Sequence, residues 1–458
     1  MTRSTTQDKA TEIERFGIDH IPEDKRHGSP GRIFTIWFAA NLTIADYVIG
    51  VLCIQIFGLT LYQTVPVLIV GNVLGGLLVG LSAAMGPTLG FPQLFSSRNS
   101  FGRKGNYVPG GLNWVSTVGW FTVNTILGAE ALQVILPSFS FYLAAVILVA
   151  AQVLIGIYGH DFIHLFEKWM SVVLGLIWLG VFIIAIPHLT EAVSYVPPGG
   201  SASTPLLSDL GIALAVSFSY IMSWSPYASD YSRYLPFASS KRKITLFALA
   251  GGAIASFAIE VVGAIVEAST QSSSTQYFSV LNTFAGSLGM IALIGIILGA
   301  IAANALNIYT NSLSALVLDI KTKRWVTVIV GGVVGLALAL AGGANFAQNF
   351  QNFLLILDYW ITPWLAIILV DFFILKRATV ESLKQVKGWD FGTLGIYGLA
   401  ILISVPFMSP ALPLGPIVGA IANPYLGGAD FSYYISFVIA GVLYYAYRRR
   451  SRNFGTLR

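Results

Sequence analysis

Twelve long apolar segments divide this chain, and all 26 lysines and arginines lie in every second interval between them. No other feature so narrows what the chain can fold into. A spanning helix needs roughly 20 mostly apolar residues. The segments that qualify are 34–58, 63–86, 110–136, 139–158, 169–187, 206–228, 246–268, 288–318, 326–343, 350–374, 392–408 and 431–447. Lysine and arginine are retained on the cytoplasmic side of a membrane. With the N-terminus inside, the basic clusters occupy the N-terminal segment, 98–104, Lys168, 233–243, 321–324, 376–387 and 448–458. A miscounted segment would scatter them onto both sides. The pattern predicts an all-α polytopic membrane protein with 12 transmembrane helices, multi-pass in the plasma (cell inner) membrane, with both termini cytoplasmic.

Composition agrees. The chain is 55% hydrophobic and 10% charged, where soluble domains carry about 25% charged residues. The net charge of +5 is then a topology signal, and no nucleic-acid partner is expected. The single cysteine, Cys53, excludes a disulfide framework and a cysteine-rich metal centre. Residues 1–33 form a polar segment with no apolar signal-peptide core. The interval 187–208 is rich in Pro, Gly and Ser and splits the helices into five and five, followed by two. Five is odd, so a second set of five enters with inverted topology, a recurrent transporter plan with its site at the bilayer midplane. The expected units are repeat 1 over 34–187, repeat 2 over 206–374, two further helices over 392–447, and a basic tail over 448–458.

Polar groups inside such helices are costly, so each needs a partner or a task. Trp120 and Asn124 in "GWFTVNTILGAEAL" are spaced i, i+4 and share a face. A flat ring beside an amide suits a flat heteroaromatic ligand, one group stacking and the other reading an edge. Plain packing and an interhelical hydrogen bond explain the pair as well. Glu130 points elsewhere, about 80° from Trp120. Asn304, Asn307 and Asn311 form one stripe on the eighth segment. Asn41 and Asp46 point about 140° apart on an unbroken first helix, and no Gly or Pro between them marks a break. A lone buried carboxylate such as Asp46 must be paired, protonated or part of a cation site. Phe218, Tyr220 and Trp224 precede Pro226 on the sixth segment and are candidates to cover a ligand opposite Trp120. Glu260 lies deep enough on the seventh segment to carry a proton. His160 and His164 fall in a loop without further ligands, so no metal site is expected. No nucleophile–base pattern suggests an enzyme, and a channel, the alternative of a different class, would show flux without saturation or coupling.

These stretches resemble the nucleobase–cation symporter-1 family, in its purine–cytosine permease branch. "GPTLGFPQLFSSRNSFG", residues 86–102, is similar to that family's signature after the second helix. "GWFTVNTILGAEAL", "SPYASDYSRYLP", "ANALNIY" and "GHDFIHLFEKW" are similar to further family patterns. The resemblance implies a leucine-transporter-like 5+5 inverted repeat plus two C-terminal helices, alternating access, and import of a nucleobase with a cation. It implies that Trp120 stacks on the base, that Asn124 and Asn304 read its edge, that Tyr220 rather than Phe218 supplies a second aromatic, and that Asp46 lies near the substrate. Sodium-coupled relatives carry hydroxyls about one turn before the helix 8 amide. Here "ILGAIAAN", Ile297 to Asn304, has none, so proton coupling is favoured over sodium, with Glu260 and Asp46 as carriers. Ala303 and Leu306 replace an Asn and a Pro common in the branch. That leaves open cytosine, purines, or another small molecule such as allantoin, a hydantoin, a vitamin or an amino acid. No cofactor other than the co-transported cation is expected.

Overall fold

The computed structural model describes residues 16–198, 206–272, 276–341, 346–409 and 416–455. Residues 1–15 of the predicted N-terminal segment, part of the 187–208 linker and the last three residues of the tail lie outside them. Nine helices are long and apolar enough to cross a membrane, and one bent pair makes a tenth among the described residues. We label the helices that matter here α1 (Gly31–Ala40), α2 (Ile44–Gln55), α3 (Leu61–Ala83) and α4 (Tyr107–Ile135). They continue with α5 (Phe141–Tyr158), α6 (His160–Ala185), α7 (Leu206–Met222) and α8 (Ala228–Ser232). The rest are α9 (Lys241–Thr270), α10 (Gly289–Val317), α11 (Arg324–Ala341), α12 (Phe346–Leu369), α13 (Phe391–Ser404) and α14 (Ser432–Gly455). α13 and α14 occupy the last two predicted spans.

The first span is broken. α1 and α2 meet at 58° around Asn41–Thr43. The cause is a side chain, since neither Gly nor Pro is present. Asn41 caps α1 by donating its amide Nδ2 to the Trp37 carbonyl at 2.6 Å, an alternative to the backbone ladder that short polar side chains offer. Thr43 is then extended at φ −120°, ψ 161°. The sixth span is interrupted too. α7 gives way to a single 3₁₀ turn, Ser225–Tyr227, before α8 resumes. Pro226 in that turn has no N–H to donate, and a 3₁₀ stretch in mid-span commonly marks a hinge. The two interruptions touch, because Trp224 Nε1 donates to Asn41 Oδ1 at 3.0 Å. The eighth span, long enough to tilt or break, runs unbroken through α10.

Glycines set the closeness of the central helices. A Cβ on Gly50 of α2 would lie 1.8 Å from the Glu260 carbonyl of α9, and one on Gly263 would lie 2.1 Å from the Tyr47 carbonyl. The two backbones are therefore in direct contact, as small residues allow in membranes.

The 86–102 stretch is a hub at the end of the molecule that carries the basic residues. Gln93 N donates to Asp230 Oδ1 at 2.8 Å, and Gln93 Oε1 accepts from Ser229 N at 3.1 Å, which fixes α8. Arg98 donates to the Val317 carbonyl at the end of α10 at 2.8 Å. Asn99 donates to Asp371, just past α12.

One local expectation is corrected. His160 and His164 lie in α6 and not in a loop, because Gly159 at φ +90° joins α5 to α6 alone. There His27 Nε2 meets Asp161 Oδ1 at 3.1 Å.

Candidate substrate site

The site forms where α4 and α10 cross beside the two interruptions. Trp120 projects from α4 and is 5% exposed. Tyr220 of α7 meets its ring at 5.3 Å and 90°. Phe353 and Phe350 of α12 meet it at 5.2 Å and 6.1 Å, also steeply inclined. Edge-to-face packing of this kind is the favoured aromatic geometry, and it builds a cage around one indole.

One helical turn along, the amides interlock. Asn304 Oδ1 on α10 accepts from Asn124 Nδ2 at 3.2 Å and from Asn307 Nδ2 at 3.0 Å. Asn304 Nδ2 donates to the Phe121 carbonyl at 2.8 Å and to Gln152 Oε1 at 3.2 Å. Asn304 is thus fully used. Asn124 Oδ1 and Asn307 Oδ1 are buried without a partner. A buried acceptor left unmade costs roughly 1–3 kcal/mol, so two of them beside an aromatic cage mark a place where a donor is wanted.

A third group sits at the α1–α2 break. Thr43 Oγ1 donates to Asp46 Oδ2 at 3.0 Å and lies 2.9 Å from Tyr220 Oη. Ser256 of α9 donates to Asp46 Oδ1. Asp46 has no basic partner among the described residues.

The structure brings Trp120, Asn124, Tyr220, Asn304, Asn307 and Asp46 into one connected region. Asn41 adjoins it, but both ends of its amide are engaged, with Trp37 and Trp224. Phe218 lies outside, stacked on Tyr433 of α14 at 5.1 Å. Two residues apart on a helix is about 200°, so Phe218 and Tyr220 face opposite ways. Glu260 is buried a little apart, accepting from Asn72 of α3 and lying 3.4 Å from Ser217. Glu130 is partly exposed near the far end of α4. Thr43, Ser256, Gln152, Phe350 and Phe353 were not legible as site residues. Ser256 did carry a signal: it stands i, i+4 from Glu260 on one face of α9.

Residues 20–437 match the family described as permease for cytosine/purines, uracil, thiamine, allantoin. The chain is 30% identical over 448 residues to a putative purine-cytosine permease of Bacillus subtilis, covering 94% of this chain and 95% of that one. It is 26% identical over 468 residues to the purine-cytosine permease fcyB of Emericella nidulans, covering 95% and 88%. Among solved structures it resembles Mhp1, a nucleobase-cation-symport-1 family transporter, in a closed conformation with bromovinylhydantoin bound. The TM-score is 0.79 at 18% identity, over 95% of each chain. That likeness carries the fold: a leucine-transporter-like arrangement of two five-helix repeats, with two further helices at the C-terminal end.

Proposed function

The chain belongs to the family of permeases for cytosine/purines, uracil, thiamine and allantoin, and we propose that it imports a nucleobase, cytosine or a purine, by symport with a proton. It is a multi-pass membrane permease. We place it in the plasma membrane with the basic end and both termini cytoplasmic, and we assign it no covalent chemistry on its cargo.

One observation carries the substrate reading. Asn124, one helical turn from the caged Trp120, and Asn307, bonded to the same Asn304 oxygen, keep buried acceptors without a partner. A nucleobase offers a flat ring to the indole and N–H donors along one edge to those oxygens. Stacking on an aromatic side chain contributes about 1–3 kcal/mol, and the edge contacts decide between heterocycles of similar shape.

The proton reading has separate support. A sodium site between the first and eighth spans needs several oxygen ligands. The 297–304 stretch carries no hydroxyl, and a Cβ on Gly299 would lie 2.7 Å from the Leu42 carbonyl. The α10 backbone is therefore closed onto the α1–α2 break, while buried carboxylates stand nearby on Asp46 and Glu260.

The test is uptake of labelled cytosine by expressing cells at pH 5.5 without sodium, with adenine, hypoxanthine, allantoin and leucine as competitors. Saturable uptake blocked by adenine or hypoxanthine is expected. Trp120→Ala should remove it while the protein remains in the membrane at normal abundance. No uptake, with or without sodium and with expression confirmed, would sink the substrate reading.

A further inference from the structure

The chain of hydroxyls between Asp46 and the aromatic cage has a direction, and that direction depends on whether Asp46 holds a proton. Thr43 Oγ1 donates to Asp46 Oδ2. A hydroxyl has one hydrogen, so Thr43 can only accept from Tyr220 Oη, 2.9 Å away. In this arrangement Tyr220 spends its hydrogen on Thr43 or on the Asp46 carboxylate beside it, and has none for a ligand. Asp46 Oδ1 accepts from Ser256 in the same way. Every donor points at the carboxylate.

A proton on Asp46 reverses this. The carboxyl now donates to Thr43, Thr43 donates to Tyr220 Oη, and the Tyr220 hydrogen is freed for another acceptor, on a ring that packs against Trp120 at 5.3 Å. We propose that Asp46, Thr43 and Tyr220 form a switchable donor relay that couples protonation at the α1–α2 break to a hydrogen bond offered to an acceptor atom of the substrate. No covalent bond other than the new carboxyl O–H is made. The proton comes from bulk water, and the two hydroxyl hydrogens of Thr43 and Tyr220 rotate. The relay rests on the nucleobase reading only for the identity of the acceptor, a ring nitrogen or exocyclic oxygen. Tyr220 would touch the substrate, while Thr43 and Asp46 are positioning residues acting through it.

The ionisable groups facing Asp46 are few. Tyr220 comes from α7, and Glu260 comes from α9, packed against α2 through Gly50. Glu260 has its own partners, Asn72 and Ser217, but its charge also acts on Asp46, so it is not a neutral reference. Glu130, partly exposed near the far end of α4, is the control.

Thermodynamic reciprocity requires that, if substrate favours protonated Asp46, protonation tightens substrate binding by the same factor. Labelled cytosine binding to the purified full chain should be measured between pH 7.5 and pH 5.5. The wild type should bind several-fold tighter at the acid end, within the about 5–150-fold usual for such couplings. Thr43→Val, Tyr220→Phe and Asp46→Asn should each flatten that gain to less than about twofold. Glu130→Gln should retain it. A wild-type slope in Thr43→Val, whose side chain keeps its shape and loses only the hydroxyl, overturns the relay. A second readout needs no substrate. Acid-induced infrared difference spectra should show a protonated-carboxyl band that Asp46→Asn removes and Thr43→Val shifts. Persistence of that band in Asp46→Asn also overturns the relay. If cytosine fails to bind while the band behaves as expected, the substrate reading falls and the relay stands.

Discussion

The first and sixth spans both break in mid-membrane, yet they break for different reasons. Between α7 and α8 the sequence contains its own cause, Pro226 in a 3₁₀ turn. Between α1 and α2 it does not. There the bend of 58° is held by Asn41, which caps α1 through Trp37 and accepts from Trp224 across the molecule. One break is covalent in origin and the other is built by contacts. A break built by contacts can respond to what those contacts do, and this is the break that carries Asp46. The proline-containing break supplies the fixed partner, Trp224.

This contrast can be broken by substitution. The largest effect is expected where α2 is pressed onto α9. Gly50→Leu would drive a side chain into the Glu260 carbonyl, and overpacking on rigid backbone costs more than a flexible neighbour can relieve. Loss of folded, membrane-inserted protein, read by fluorescence-detected size exclusion, is the expected outcome. Asn41→Leu comes next. It leaves the Trp224 N–H without an acceptor and uncaps α1, a loss of about 1–3 kcal/mol, visible as a lower Tm in detergent. Pro226→Ala should be milder, within about 1 kcal/mol, because α7 already ends at Met222, before the proline. If Pro226→Ala destabilises more than Asn41→Leu, the two breaks have been ranked the wrong way round.

The smallest effect calibrates the basic end, away from both breaks. Asp319 follows α10 and accepts from Arg103 Nε at 2.9 Å and from Tyr107 Oη at 2.5 Å. Partial burial would raise its carboxyl, but the hydrogen bonds from Arg103 and Tyr107 and the nearby Arg98 bring it down to about 2. A carboxyl lowered by folding stabilises the protein above its ordinary value near about 4 and loses that contribution as pH falls towards 2. The Tm gap between wild type and Asp319→Asn should thus be small and constant from pH 8 to pH 5, then close on further acidification. A gap that widens in acid contradicts the pairing.

Parts of the site were legible because they obey helix geometry. Trp120 with Asn124, and Asn304 with Asn307, follow from i, i+4 and i, i+3 spacing on single helices. Tyr220 and Phe218 could not be separated that way. Spacing sets them on opposite faces without saying which one faces the site; the resemblance favoured Tyr220, and packing places it against Trp120 and Phe218 against Tyr433. Thr43 and Ser256 escaped notice because hydroxyls are ordinary in spanning helices, where they bond across to neighbours or back to the helix. Their role depends on what stands opposite.

The sequence by itself determined the membrane class, the number of apolar segments and the alternate intervals into which all 26 basic residues fall. These are sums over local transfer free energies, and each residue contributes without reference to distant ones. The α1–α2 break, the unpartnered oxygens of Asn124 and Asn307, and the Asp46–Thr43–Tyr220 chain were decided only by the tertiary structure. Each depends on a hydrogen-bond partner far along the chain, 183 residues away for Asn41 and Trp224 and 177 for Thr43 and Tyr220. A hydrogen bond is fixed by distance and direction, and neither exists until the helices have packed.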